Sequence, residues 1–200
     1  MVIHDFSNDD SILNQFISEL RDVAIQTDAM RFRKNIERIG EILGYELSKT
    51  LSYKTIKVKT PFGAKKMSVS EDKLVFCSVL RAGLPLHQGL LNYFDKSENA
   101  FISAYRHHID KKDDFDVIIE YLAAPSLNNK ILVIVDPMLA TGKTLENVLN
   151  AIKKHGTPKK IHIVSVIGSK HGVANVESNF PKNTHLWIAT IDDNLSERGY

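Results

Sequence analysis

The chain has 200 residues, of which 43% are hydrophobic and 25% are charged. This composition is enough for a folded globular domain with a substantial core, and it excludes a fibrous or disordered chain. The formal net charge is only +2, so no overall field attracts nucleic acid or an anionic membrane, and neither is an expected partner.

Two helices are predicted first, each with apolar residues three and four positions apart. Asp10 or Ser11 is expected to cap the first helix. The apolar stripe of the first helix consists of Ile12, Leu13, Phe16, Ile17 and Leu20, and that of the second of Phe32, Ile36, Ile39, Leu43 and Leu47. Alternating residues around Thr60-Pro61-Phe62-Gly63 then predict a β-hairpin set against the main sheet as a small hood.

From residue 74 onward, short apolar runs separated by polar segments predict strands that are covered on both faces. These runs are Leu74–Val79, Ala100–Ala104, Val117–Tyr121, Ile131–Val135, Ile161–Ile167 and Leu186–Ile191. Helical spacing in Leu145–Lys154, between two of them, favours a mainly parallel central sheet with right-handed crossovers. The fold class is therefore α/β, in one domain over 1–200, with helices in 1–50, the hairpin in 54–70 and the sheet in 73–200.

The segment from Ile131 to Thr144 predicts an anion site, because an apolar strand ends on Asp136 and turns through small residues into a helix. Amides at a helix N-terminus and the helix dipole favour a bound phosphate, and Gly142 lets the main chain approach it. Since a carboxylate beside a phosphate needs a hydroxylated sugar or Mg²⁺ as its partner, Asp136 is expected to face ribose hydroxyls. A phosphorylated ribose meets both requirements.

Two alternatives apply to this segment. One is an ordinary core strand followed by a helix that a threonine caps. The other is an ATP- or GTP-binding P-loop, because Gly142-Lys143-Thr144 matches the second half of that motif. Pro137 stands where the P-loop needs its first glycine, and proline has no N–H to offer a phosphate, which argues against the P-loop.

The string Val135-Asp136-Pro137-Met138-Leu139-Ala140-Thr141-Gly142 closely resembles the segment of uracil phosphoribosyltransferases that binds 5-phosphoribosyl-1-pyrophosphate (PRPP). Leu80–Leu84 and Tyr105-Arg106 are similar to the family's two arginine sites, and the likeness extends over roughly Arg31 to Tyr200. The resemblance implies the type I phosphoribosyltransferase fold and a pentosyltransferase of pyrimidine salvage that converts uracil and PRPP to UMP and pyrophosphate.

The resemblance also implies the roles of individual residues. Arg81 and Arg106 are expected to bind the pyrophosphate or phosphate of PRPP, and together with Asp136 they form the predicted catalytic set. The segment expected to enclose the ribose and its 5-phosphate consists of Asp136, Pro137, Met138, Leu139, Ala140, Thr141, Gly142, Lys143 and Thr144. Mg²⁺ is expected to arrive bound to PRPP rather than in a metal site of the protein. A homodimer and activation by GTP are further expectations.

Three departures from the family pattern stand out. Lys143-Thr144 is similar to the purine-salvage branch, and Gly168–Val173 replaces a familiar loop in the wall of the site. The family's uracil-binding segment is expected after Tyr200, which leaves the base-binding residues unknown. Either the sequence is truncated, which the strong resemblance up to Tyr200 favours, or the chain is a degenerate member that couples PRPP binding poorly to any base. Weak or no activity is predicted for residues 1–200 alone. The alternatives that remain are a nucleotide-sensing RNA-binding regulator on the same fold and a transferase for another base.

Other residues have simpler interpretations. Cys77, the single cysteine, is predicted to be a core side chain, and together with the absence of a recognisable signal peptide it favours a reducing, cytoplasmic location. Trp187 is predicted to lie in the core. The pair His107-His108 lacks a third ligand at zinc spacing. The polar segment His107–Asp116 is either a lid that closes over the site or a solvated connection.

Overall fold

The structure is a computed structural model that describes residues 1–108 and 115–193, with side chains described outside 104–118. In these residues the chain forms ten strands and five α-helices. The strands are β1 (Val2–Asp5), β2 (Tyr53–Thr60), β3 (Gly63–Ser70), β4 (Leu74–Leu80), β5 (Glu98–His108), β6 (Phe115–Ala123), β7 (Ile131–Val135), β8 (Met138–Leu139), β9 (Lys160–Ser169) and β10 (His185–Asp192). The helices are α1 (Ile12–Arg21), α2 (Ala29–Ser48), α3 (Leu84–Leu91), α4 (Lys143–Ile152) and α5 (Lys170–Asn179).

The main sheet has the strand order β1-β10-β9-β7-β4-β5-β6, and the short strand β8 also pairs with β9. Its strand pairs are parallel except β5 with β6, which confirms the predicted mainly parallel sheet. After β4 the chain adds β5 and β6 on one side of the β4–β7 pair, and after β7 it adds β9 and β10 on the other side. This pair is therefore the switch point of the sheet, where α/β proteins bind ligands at the carboxyl ends of the strands.

Both faces of the sheet are covered, which explains why its central strands are apolar throughout. One core cluster joins α1, α2 and α3 to side chains such as Phe76, Val133 and Trp187. The other lies on the opposite face, under α4 and α5, and includes Cys77 and Ile134. The predictions that Cys77 and Trp187 lie in the core are confirmed, since their exposures are 0% and 2%.

The N-terminal helices begin where side-chain caps occur. The hydroxyl of Ser11 accepts a hydrogen bond from the Leu13 amide at the start of α1, so Ser11 rather than Asp10 is the cap. Asp28 caps α2 in the same way. Within the described residues, no helix is long and apolar enough to cross a membrane.

The hairpin β2–β3 forms a sheet of its own, separate from the main sheet. Nearly all of its residues are exposed, and Phe62 at its tip is exposed in full. The prediction that it packs against the main sheet is therefore wrong. The predicted alternation is present, but the rest of the described chain leaves the apolar side of the pattern largely uncovered.

Candidate active site

The switch point brings two predicted site residues to one edge of the sheet. Asp136 directly follows β7 and Arg81 directly follows β4, and these strands are paired in parallel. Gly83 anchors the turn after β4: a Cβ built on it would lie 2.6 Å from the carbonyl oxygen of Val79 and 2.9 Å from that of Val135. Only glycine allows this approach, so the Arg81 turn lies over the carboxyl ends of both strands.

Asp136 lies where the buried strand β7 meets this edge. Its side chain is half-buried, and its Oδ1 accepts a hydrogen bond from the Met138 amide at 3.3 Å. Its main chain stays attached to β9, since its amide donates to the Val164 carbonyl at 3.2 Å. The position of the Asp136 side chain is therefore fixed by one hydrogen bond to its carboxylate and one from its main chain.

The segment from Asp136 to Gly142, which we call the phosphate loop, leads into α4 through a left-handed residue. Gly142 has φ +80° and is the N-cap of α4, with no side-chain cap hydrogen bond. The alternative in which a threonine caps this helix is thus wrong. The first amides of a helix have no partner within the helix, and their partial positive charge adds to the helix dipole. The structure therefore has the uncapped helix start that an anion site requires.

Lys143 and Thr144 occupy the first two positions of α4. The side chain of Lys143 is exposed and that of Thr144 is half-buried. Both lie in the first turn, so the structure brings them to the same helix start as Thr141 and Gly142.

Arg81 is exposed at the site edge. The second predicted arginine, Arg106, lies in β5 with its backbone opposite Val117, and its side chain lies outside the described residues. Of the segment His107–Asp116, which the sequence left open as a lid or a solvated connection, the two ends belong to β5 and β6 and positions 109–114 lie outside the described residues. The side chains of His107 and His108 lie outside them as well.

Gly168–Val173, where the sequence departs from the family pattern, lies directly against the phosphate loop. A Cβ on Gly172 would lie 2.4 Å from the Ala140 carbonyl oxygen, so this wall and the loop touch through their main chains. Ser169 and Asn175 form hydrogen bonds with the loop, and neither residue was among the predicted site residues. The departure from the family pattern at 168–173 was the only local signal for Ser169, and no local pattern singles out Asn175.

In the described residues, no group of three or more His, Cys, Asp or Glu side chains is arranged to hold a metal ion. The loop does offer the single carboxylate of Asp136. One or two carboxylates with substrate phosphates are a usual donor set for Mg²⁺, so the residues present fit a Mg²⁺ ion that arrives with a phosphorylated substrate.

Comparison with known proteins identifies this arrangement. A family model described as uracil phosphoribosyltransferase matches residues 7–200, a range that contains the phosphate loop and both arginines. The chain belongs to the uracil phosphoribosyltransferase family. A uracil phosphoribosyltransferase from Porphyromonas gingivalis is 49% identical to it over 199 residues, which cover 100% of this chain and 91% of that protein.

Solved structures share the fold of this chain. A protein from Aquifex aeolicus has a TM-score of 0.86 and 30% identity, covering 100% of this chain and 91% of its own. A hypoxanthine phosphoribosyltransferase from Staphylococcus aureus has a TM-score of 0.53 at 18% identity, covering 80% and 76% of the two chains. The latter supports the type I phosphoribosyltransferase fold alone.

Proposed function

We propose that this chain transfers the phosphoribosyl group of PRPP to uracil and so produces UMP and pyrophosphate. The observation that carries the proposal is the β7–α4 connection, which joins Asp136 to an uncapped helix start at the switch point of the sheet. In the reaction, a ring nitrogen of uracil bonds to C1 of the ribose and loses its proton. The bond from C1 to pyrophosphate breaks, and pyrophosphate leaves with the electron pair.

The helix start is proposed to hold the 5-phosphate. Amides of the loop and of the first turn of α4 donate to phosphate oxygens, and Thr141 and Thr144 supply hydroxyl donors. Lys143 adds a positive charge at the same end of the helix. This arrangement anchors the end of PRPP that takes no part in the bond changes, and so it orients the reacting C1.

Asp136 is proposed to bind the ribose hydroxyls. As the bond to pyrophosphate breaks, positive charge develops on the sugar, and a nearby carboxylate stabilises that charge. The aspartate is fixed by strand β7 and by the Met138 amide, so little reorganisation is needed as the charge develops.

Arg81 and Arg106 are proposed to bind the pyrophosphate, with Mg²⁺ carried by PRPP. A guanidinium pairs with two phosphate oxygens and keeps its charge throughout the reaction. Arg81 is supported by its position over the carboxyl ends of β4 and β7, whereas Arg106 rests on the sequence motif. Mg²⁺ bound to PRPP neutralises charge on the departing oxygens.

The direct test is UMP formation by the complete gene product with PRPP, Mg²⁺ and radiolabelled uracil. Asp136→Asn is expected to lower kcat at least about a hundredfold, because the loss of a preorganised electrostatic group costs that much in comparable sites. Asp95→Asn, which changes an exposed carboxylate outside the site, is the matched control and is expected to retain full activity. Failure of the unmodified protein to form UMP would refute the proposal.

The same assay separates the alternatives. Lys143-Thr144 is similar to purine-salvage enzymes, so hypoxanthine, guanine and xanthine are added as competitors of uracil. Uracil is expected to be consumed first, and faster conversion of a purine would transfer the assignment to a purine transferase. GTP is added in a parallel series, in which a rise in rate would support the predicted activation.

A homodimer is also proposed, and the hairpin supports it. In the register of β2 and β3, the face that we call apolar carries Ile56, Val58, Met67 and Val69 together with Lys54 and Lys65, whereas the other face carries Lys57, Lys59 and Lys66 and no branched aliphatic side chain. A two-stranded sheet is at best marginally stable on its own, and here the apolar face is left largely uncovered. We propose that a second copy of the chain covers it.

Sedimentation velocity tests this arrangement. Ile56→Glu places a charge on the apolar face and is expected to convert dimers to monomers. Thr55→Glu places the same charge one residue earlier, on the basic face, and is expected to leave the dimer intact. Equal behaviour of the two variants would exclude the apolar face as the interface.

The proposal also includes a single domain in a reducing, cytoplasmic setting. The lone cysteine, Cys77, is buried and supports the reducing setting.

A further inference from the structure

The phosphate loop is attached to the rest of the protein mainly through its own carbonyl groups. The register between β7 and β9 pairs Ile131 with Lys160, and the same offset of 29 positions continues where β8 pairs Leu139 with Gly168. The loop therefore runs beside β9 as a continuation of β7. Its carbonyl oxygens accept hydrogen bonds as follows: Asp136 from the Ser165 hydroxyl at 2.7 Å, Pro137 from the amides of Val166 and Ile167 at 3.0 Å, Ala140 from the Ser169 hydroxyl at 2.6 Å, and Thr141 from the Asn175 side-chain amide at 2.8 Å.

Ser169 joins the loop to the start of α5. Its side chain is buried, with 2% exposure, and its hydroxyl donates to the Ala140 carbonyl. The same oxygen accepts a hydrogen bond from the Gly172 amide at 2.9 Å and thereby caps α5. The direction of the hydroxyl is thus fixed from both sides.

Asn175 holds the next carbonyl of the loop. Its Nδ2 donates to the Thr141 carbonyl, while its Oδ1 accepts from the Asn179 side-chain amide at 2.7 Å. A Cβ on Gly142 would lie 2.8 Å from this Nδ2, so the amide is in close contact with the turn into α4.

These two bonds determine where the loop amides point. In a planar trans peptide the C=O of one residue and the N–H of the next point in opposite directions. Because the carbonyls of Ala140 and Thr141 are turned toward Ser169 and Asn175, the amides of Thr141 and Gly142 are turned away from this wall. Those amides belong to the helix start that is proposed to bind the 5-phosphate.

We infer that Ser169 and Asn175 are positioning residues that hold the phosphate loop in its PRPP-binding conformation before the ligand arrives. This inference rests on the proposed function and adds to it two side chains that do not themselves contact the substrate. Without either bond, a loop peptide is free to rotate, and its amide no longer meets the phosphate in a fixed geometry. The affinity for PRPP then falls, while recognition of the base is unaffected.

The test measures PRPP binding by isothermal titration calorimetry with Mg²⁺, and the KM values for PRPP and uracil, using the complete gene product. Ser169→Ala and Asn175→Ala are each expected to raise the Kd and KM for PRPP about ten- to a hundredfold, the usual range when a binding group is misplaced. The KM for uracil is expected to stay within about twofold. Ser178→Ala and Asn183→Ala are matched controls at exposed positions near the same helix, and they are expected to match the unmodified protein.

Each outcome decides the inference. Unchanged PRPP affinity in both variants, even with a lower melting temperature, would show a purely structural role and overturn it. If Ser169→Ala fails to fold because α5 loses its cap, Asn175→Ala alone decides, since Asn175 caps no helix. Equal rises in both KM values would indicate general damage to the site and also overturn it. If the unmodified protein does not bind PRPP, the proposed function fails first and the inference with it.

Discussion

His162 makes a specific prediction about acid stability. This residue in β9 has 0% exposure, and its Nδ1 accepts a hydrogen bond from the Trp187 indole N–H at 2.9 Å. Because an indole can only donate, the imidazole proton must lie on Nε2, which is buried and has no hydrogen-bond partner among the described residues. A second proton would have to displace the Trp187 hydrogen bond.

Burial is the main cause that lowers the pKa of His162 from 6.5 to about 3, and the charges of His185, Lys160 and His4 act in the same direction. A base whose pKa is lower in the folded state binds fewer protons there than in the unfolded chain. Stability is therefore fully present above about pH 6.5 and declines as the pH falls toward 3. At about pH 5 the unfolded state gains about 2 kcal/mol from this one residue, because each pH unit below the unfolded pKa contributes about 1.4 kcal/mol.

The assay compares urea unfolding at about pH 7.5 and about pH 5, with circular dichroism as the probe and the protein concentration held fixed. Other buried groups also titrate, so the quantity of interest is the difference between the unmodified protein and His162→Asn. The Asn carbonyl can accept the Trp187 hydrogen bond but takes up no proton. The variant is expected to lose about 2 kcal/mol less on acidification. An identical loss in both proteins would refute the reasoning, and His171→Asn at an exposed site shows the effect of removing a histidine elsewhere.

Three further predictions follow from close packing and burial. Gly142→Ala is expected to cost about 1–2 kcal/mol in urea unfolding because φ is +80°, and to weaken PRPP binding because the Cβ would displace the Asn175 amide; unchanged binding would contradict this. Gly89→Ala places a Cβ 2.0 Å from the Glu37 carbonyl oxygen, so α2 and α3 must separate, and we expect a loss of about 3 kcal/mol; a melting temperature within about 2 °C of the original would refute it. Burial raises the pKa of the Cys77 thiol to about 12, so a thiol reagent at about pH 8 is expected to label it only in urea, and rapid labelling of the folded protein would be contrary to this.

The sequence predicted the elements whose signals are local and long. Five consecutive apolar residues gave the exact bounds of β7, and spacings of three and four located α1 and α2. The parallel sheet followed from the alternation of strands and helices. These patterns work because burial on one or both faces of an element leaves a direct trace in its own residues.

Other elements were missed because their stability comes from neighbours rather than from their own pattern. β1 has only four residues, mostly exposed, and exists by pairing with β10 at the edge of the sheet. α5 buries only Gly172, Val173 and Val176 in ten residues, too few for a recognisable stripe. The hairpin was predicted correctly, but its placement was wrong, because an apolar face in the sequence does not reveal which surface covers it.

The residues of the candidate site also differ in whether a local sequence pattern could reveal them. The residues proposed to bind the ligand could be recognised because most of them are consecutive, and Asp136 and Gly142 have roles that few other residue types can fill. The groups that hold them could not, because Ser165 and Ser169 lie 29 positions beyond their carbonyl partners and Asn175 lies 34 positions beyond its own. The repeated separation of 29 is the register of two parallel strands, so it depends on the length of the whole crossover and not on any motif. A protein with the same loop sequence but a different β9 register would present the same residues without the same amide directions. The string of residues thus identifies the chemistry, whereas the geometry that makes it a binding site belongs to β9 and α5.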